Sequence, residues 1–161
     1  MRRWPFLALL LLATATPALA WPLTDTDGTL SVKRGRGYVG LNFTGAVIGR
    51  IAHGKVTVND PIDTDGAGVD FWGCEVERPV NDTTTVCRGD DIHFRAIGGK
   101  YRLNTRGGGI YVSAVGHGVV RLDGRGDGSD RPDGVYSFND AAYQSLPDDP
   151  QDFELAAPTQ G

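Results

Sequence analysis

The sequence predicts one all-β domain, a small sandwich or barrel of many short strands, and three observations carry that expectation. All 23 Gly follow residue 20 and punctuate segments of Val, Ile, Tyr, Phe and Thr, which is strand-and-turn composition. Apolar and polar residues alternate through those segments with the period of a half-buried strand. Only 140–145 carries helix signals, a polar Asn-Asp start with Pro147 beyond, enough for little more than one turn.

The elements follow in order. After the turn Thr24-Asp25-Thr26-Asp27-Gly28, Leu30 and Val32 point one way and Ser31 and Lys33 the other. Further strands are expected over 38–44, 47–51, 55–58, 71–76, 84–87, 92–97, 101–105, 109–114, 119–123, 135–138 and 153–155, each rich in β-branched or aromatic residues and bounded by turn formers. Residues 156–161 read as a frayed tail.

A weak internal repeat runs through this pattern. It sets Leu30 on Tyr101, Val32 on Leu103, Gly37 on Gly108, Val39 on Ile110, Leu41 on Val112, Gly45 on Gly116, Ile48 on Val119, Arg50 on Arg121 and Ile51 on Leu122. A duplicated β-unit about a pseudo-twofold axis would produce it, and alternation common to all strands is the competing explanation. Apolar residues spaced five to six apart in 45–58 make a short β-helix the alternative fold, but the run stops at Asn59-Asp60-Pro61.

The amino terminus reads as a secretory leader over 1–20. Arg2 and Arg3 precede an apolar run over 6–12, and Ala18-Leu19-Ala20 is a small-x-small cleavage site before Trp21. That run is too short to span a bilayer as a helix. The expected protein is therefore extracytoplasmic, secreted or periplasmic, with one all-β domain over 21–155 and no membrane association after cleavage. The net charge of −4 becomes more negative without the leader arginines, which argues against nucleic acid and anionic membranes as partners.

Gly35-Arg-Gly-Tyr-Val, Gly45-Ala-Val-Ile-Gly-Arg-Ile, Phe94-Arg-Ala-Ile-Gly-Gly-Lys-Tyr and Gly116-His-Gly-Val-Val give the chain a further likeness. In this order of Gly-punctuated strands it resembles small exported bacterial proteins of unknown function. The resemblance covers most of the chain beyond the leader and implies export and an all-β domain, without an activity or a site.

Cys74 and Cys87, the only cysteines, are expected to form one disulfide closing a hairpin around a Pro79-Val80-Asn81-Asp82 turn. A metal or redox thiol site would need closer spacing or more ligands. Two acidic Gly-rich loops, Asp63-Thr-Asp65-Gly-Ala-Gly-Val-Asp70 and 123–133, bring carboxylates around a volume able to hold a hard cation. Asp123, Asp127, Asp130 and Asp133 are the named calcium ligands, although Arg125 stands where an EF-hand loop wants an acid and the bidentate Glu is absent. No other cofactor is expected.

Other motifs point to no chemistry. Gly35-Arg-Gly37-Tyr-Val-Gly40 has the letters of a dinucleotide fingerprint, yet a strand and turn follow where a helix is required. Arg88-Gly89-Asp90 and Arg125-Gly126-Asp127 match an adhesion tripeptide and are expected in exposed turns, and Asn42 and Asn81 head formal glycosylation sequons. His53, His93 and His117 are far apart in sequence, and no Gly-x-Ser-x-Gly elbow supplies a nucleophile. Trp21, Trp72, Tyr136 and Tyr143 are the aromatics expected at the surface, whereas Phe94 and Tyr101 are expected in the core. The resulting expectation is a binding or surface-structural module for a carbohydrate or protein, with a small secreted hydrolase using His93 or His117 and an Asp as the alternative.

Overall fold

The computed structural model describes residues 24–66, 68–125 and 132–158, so the leader expected over 1–20 lies outside the described residues. The protein is all-β, with one antiparallel sheet of seven strands among the described residues. Two of these dominate: β1 spans Gly28–Asn59 and β4 spans Thr84–Gly124. Between them lie β2 (Val69–Trp72) and β3 (Val76–Asn81), and after them come β5 (Val135–Phe138), β6 (Gln144–Ser145) and β7 (Gln151–Leu155).

The short strands expected from 30 to 58, and from 84 to 123, are fused into β1 and β4, because the chain bends at glycines without breaking the ladder. Four of the bends are visible in the burial pattern. In β1 the inward set is Leu30 and Val32, then Val39, Leu41, Phe43, Val47 and Ile51, and later Val56 and Val58. In β4 it is Ile92, Phe94 and Ala96, then Tyr101, Leu103 and Thr105, then Ile110, Val112 and Ala114. The parity changes between these groups, as an extra residue at a bulge requires if the interior is to stay on one side.

β4 borders β1 on both sides, and this double pairing folds the sheet into two facing layers. Gly45 pairs with Gly116, which also pairs with Gly28, so the two-stranded ribbon meets its own next turn. In one layer the order is β2, β4 near Phe94, β1 near Val47, β4 near Val112, β1 near Val32, β5 and β6. In the other it is β3, β4 near Cys87, β1 near Val56, β4 near Thr105, β1 near Val39, β4 near Leu122 and β7. The layers enclose one apolar cluster, closed at one side by Tyr136 and Phe138 of β5 against Phe153 of β7, with ring centroids 5.2 and 5.4 Å apart. The architecture is sandwich-like, as expected, and Phe94 and Tyr101 are fully buried.

Several expectations are corrected. No helix forms over 140–145: Asn139 and Asp140 turn with φ of 50° and 56°, and Gln144 and Ser145 pair with β5. Six residues cannot offset the cost of nucleating an isolated helix, whereas the β5 edge offers ready partners. The strand expected over 71–76 is interrupted at Gly73 (φ 77°). Cys74 and Cys87 are disulfide-bonded and close the β3–β4 hairpin, but its turn lies at Asp82-Thr83. There the Asn81 side chain accepts the Thr83 N–H at 3.1 Å. Arg88-Gly89-Asp90 sits inside β4, paired with Lys55, Gly54 and His53, and is no turn. Residues Gly126 and Asp127 of the second tripeptide lie outside the described residues.

Candidate functional site

The outer face of the β2–β6 layer carries an aromatic row that the pairing register assembles. Trp72 pairs with His93, His93 with Arg50, and Arg50 with Tyr111. Lys33 occupies the next strand, and its ammonium lies 4.2 Å from the centre of the Tyr143 ring. At about 4.8 Å per strand, Trp72 to Lys33 spans roughly 19 Å. Trp72, Tyr111 and Tyr143 are 50%, 41% and 46% exposed, and Ile48 between them is 58% exposed. Outward side chains of a strand ordinarily remain polar, so four large apolar groups on one face form a surface suited to contact.

Ion pairs hold the polar groups of this face in place. Arg50 Nε donates to Asp91 Oδ1 at 2.6 Å, and His93 Nε2 stands 3.3 Å from the same oxygen. The Arg50 hydrogen bond keeps the Asp91 carboxyl below its ordinary value, with His93 adding to the effect. Arg95 Nη2 donates to Asp70 Oδ2 at 2.6 Å, and its guanidinium lies 5.7 Å from the centre of the Trp72 ring. Lys33 and Ser31 hydrogen-bond the Tyr143 hydroxyl and lower its pKa. The face therefore presents aromatic rings interleaved with fixed donors and acceptors, an arrangement that can stack on apolar patches while bonding hydroxyls beside them.

A second feature lies where β4 meets β7. His117 Nδ1–H donates to Asp27 Oδ1 at 2.9 Å, and the Asp27 side chain is 1% exposed. Burial disfavours the Asp27 carboxylate, but hydrogen bonds from His117 and Thr24 more than offset it and its pKa is lowered. The groove beside His117 is bordered by Thr26, Val119, Asp152 and Glu154. Because the folded pKa of Asp27 is depressed, its stabilising contribution is complete above the ordinary value of 3.8 and is lost as the pH falls through the lower folded value. Asp27→Asn is expected to lower the melting temperature at pH 6 and to narrow the gap to wild type as the pH is taken below 3. A constant gap over that range would show that the carboxylate charge plays no part.

The remaining sequence candidates are dispersed. His53 lies against Gly108, His93 stands on the aromatic face and His117 on Asp27. Asp123 pairs with Tyr38 across the ladder, and Asp133 Oδ2 accepts the Arg125 N–H at 2.8 Å with its other oxygen 4.0 Å from Arg36. Asp127 and Asp130 lie outside the described residues. Among the described residues, no three His, Cys, Asp or Glu side chains gather as a metal site. Tyr136 is buried and its hydroxyl donates to Gln144 at 3.2 Å, so it belongs to the core side of β5. Sequence reasoning passed over Tyr111 and Ile48, although each is the outward member of an alternating strand. No helix among the described residues is long and apolar enough to cross a membrane. Comparison with protein families, curated proteins and solved structures finds no match.

Proposed function

We propose that the protein is an exported binding module whose exposed aromatic face holds a carbohydrate. The observation that carries this reading is the exposed row of Trp72, Tyr111 and Tyr143, interleaved with the Arg50–Asp91–His93 and Arg95–Asp70 groups. Sugars offer flat C–H faces to aromatic rings and hydroxyl pairs to planar ionic groups, and both are available here along one line. Leader-like residues 1–20 and the Cys74–Cys87 bridge support export to a secreted or periplasmic location. Retention on a panel of insoluble polysaccharides tests the reading. Binding is expected to fall at least about tenfold in Trp72→Ala and in Tyr111→Ala, the loss of a stacking contact worth about 1.4 kcal/mol. Absence of retention on every polysaccharide, or retention unchanged by both substitutions, would refute it.

A small hydrolase is the second reading, favoured by His117 and its buried orienting partner Asp27. A general base of this kind would use Nε2 toward the groove bordered by Asp152 and Glu154.

The chain also reads as a duplicated β-unit. Gly45 and Gly116 pair with each other and share φ 151°, and the pairs Leu30↔Ala114 and Phe43↔Tyr101 exchange under the register that sets Leu30 on Tyr101. Against it, positive φ falls on Gly37 in the first unit but on Gly107 and Gly109, rather than Gly108, in the second.

A further inference from the structure

The outer face of the β3–β7 layer carries positive charge over most of its width. Its outward positions, followed across the register, hold Arg78 on β3, Arg88 on β4, Lys55 on β1, Arg102 and Arg106 on β4, and Arg121 beside β7. The acids of this face, Asp123, Asp152 and Glu154, all stand toward the β7 edge. Among the described residues, only Arg121 of these cations has an ion-pair partner, Asp152 at 3.7 Å. In a chain of net charge −4 such a grouping costs mutual repulsion, which a bound anion removes.

A built feature lies at the centre of this face. Gly40 pairs with Asn104 on one side and Arg121 on the other, and Tyr38 and Asn42 are the outward residues before and after it on β1. Lacking a side chain, Gly40 leaves room for the Tyr38 ring to lie across the strand: a Cβ there would come 2.5 Å from the Tyr38 hydroxyl oxygen and 2.8 Å from its ring. The hydroxyl donates to Asn104 Oδ1, and the Arg106 guanidinium lies 5.8 Å from the ring centre, so the ring is fixed in place. Beside it opens a depression of about 150 Å³, lined by Tyr38, Asn42, Arg102, Asn104, Val119 and Arg121. Tyr38 and Arg106 also border a cavity of about 530 Å³ at the Gly37 bend, together with Arg36, His53, Arg125, Asp123 and Asp148. The ring therefore stands between two depressions.

We propose that this face is a second binding site, for an acidic polysaccharide, with the Tyr38 ring as platform for one uronate unit and Arg102, Arg106 and Arg121 as the carboxylate partners around it. The ring offers its π-face to sugar C–H groups, a guanidinium takes a carboxylate through two parallel N–H bonds, and the amides of Asn42 and Asn104 donate to hydroxyls. Lys55 and Arg88 continue the row from Arg106 away from the acids, roughly 10 Å across two strand spacings, and extend the same charge to the next units. Nucleic acid fits less well, because single strands stack successive bases on several rings and this face carries Tyr38 alone among the described residues. The site lies on the layer opposite the aromatic row and is independent of it.

The probe is soluble polygalacturonate, titrated into the oxidised protein at physiological ionic strength and followed by calorimetry, with the fully methyl-esterified polymer as its uncharged counterpart. Polygalacturonate is expected to bind, and esterification to weaken it at least about tenfold. Arg102→Gln/Arg106→Gln and Tyr38→Ala should each weaken binding by about tenfold or more, the first through the carboxylate and the second through the platform. Arg34→Gln, which removes an exposed charge outside the face, should leave it unchanged. Circular dichroism and melting curves report whether each variant is folded. No binding of polygalacturonate, equal binding of its ester, or affinity unmoved by the Arg102/Arg106 and Tyr38 changes would overturn the proposal. An equal loss in Arg34→Gln overturns it as unspecific attraction between charges. Tighter binding of single-stranded DNA or of phosphatidylglycerol vesicles, lost in the same variants, overturns it in favour of a phosphate ligand.

Discussion

Gly116→Ala is expected to destabilise the fold severely. Gly116 has φ 151°, where a side chain is strained, and a Cβ there would strike the Thr44 carbonyl and the Gly45 backbone. Gly116 pairs with Gly45 on one side and Gly28 on the other, so the displaced strand would spread two ladders at once. Strain and clash together should cost about 3 kcal/mol or more, a large share of the 5 to 15 kcal/mol typical of a domain. Gly68→Ala is the matched control: φ there is 73°, yet nothing lies within 4 Å of the added Cβ. That substitution should cost only about 1 kcal/mol. Circular dichroism and urea titration of both variants provide the comparison. Near-equal midpoints would mean that the doubled pairing at Gly116 is not what holds the layers together.

Removing the disulfide is expected to have the second largest effect. Cys87 is fully buried in β4 next to Val56, and Cys74 sits on the short link from β2 to β3. The bridge closes a loop with a sequence separation of 13, so its loss should free about 3 kcal/mol of chain entropy in the unfolded state. For a domain of this size the melting temperature should fall by roughly 10 °C in Cys74→Ala/Cys87→Ala or after reduction. The same material tests export: intact mass of exported protein should correspond to a chain beginning at Trp21 with no free thiol. Two free thiols in exported protein, or an unchanged melting temperature after reduction, would count against the oxidising compartment or the stabilising role.

Much of the fold was legible in local pattern. Alternation at Leu30 and Val32 or at Ile92 and Phe94 depends only on which side chains avoid water, and that preference is written into the residues themselves. The hairpin bridge was legible for a similar reason, because its partners lie in one short segment. The helix expected over 140–145 was misread because its signals are short-range, while the competing β5 edge comes from pairing with residues already placed by β1. The candidate site was legible only in part: Trp72 and Tyr143 stood out as aromatics beside turns, whereas Tyr111 lies in a strand like any other.

By itself the sequence determined an all-β chain with its apolar residues inward, a cysteine pair able to close a hairpin, and glycines where the backbone must bend. Only the tertiary structure decided that short segments run on as β1 and β4, and that Trp72, His93, Arg50 and Tyr111 share one row. The physical reason is range. Side-chain transfer from water and glycine backbone freedom are properties of single residues and their neighbours, but register is set by packing between segments far apart in the chain, and one residue of slip would turn every side chain of that row to the other face.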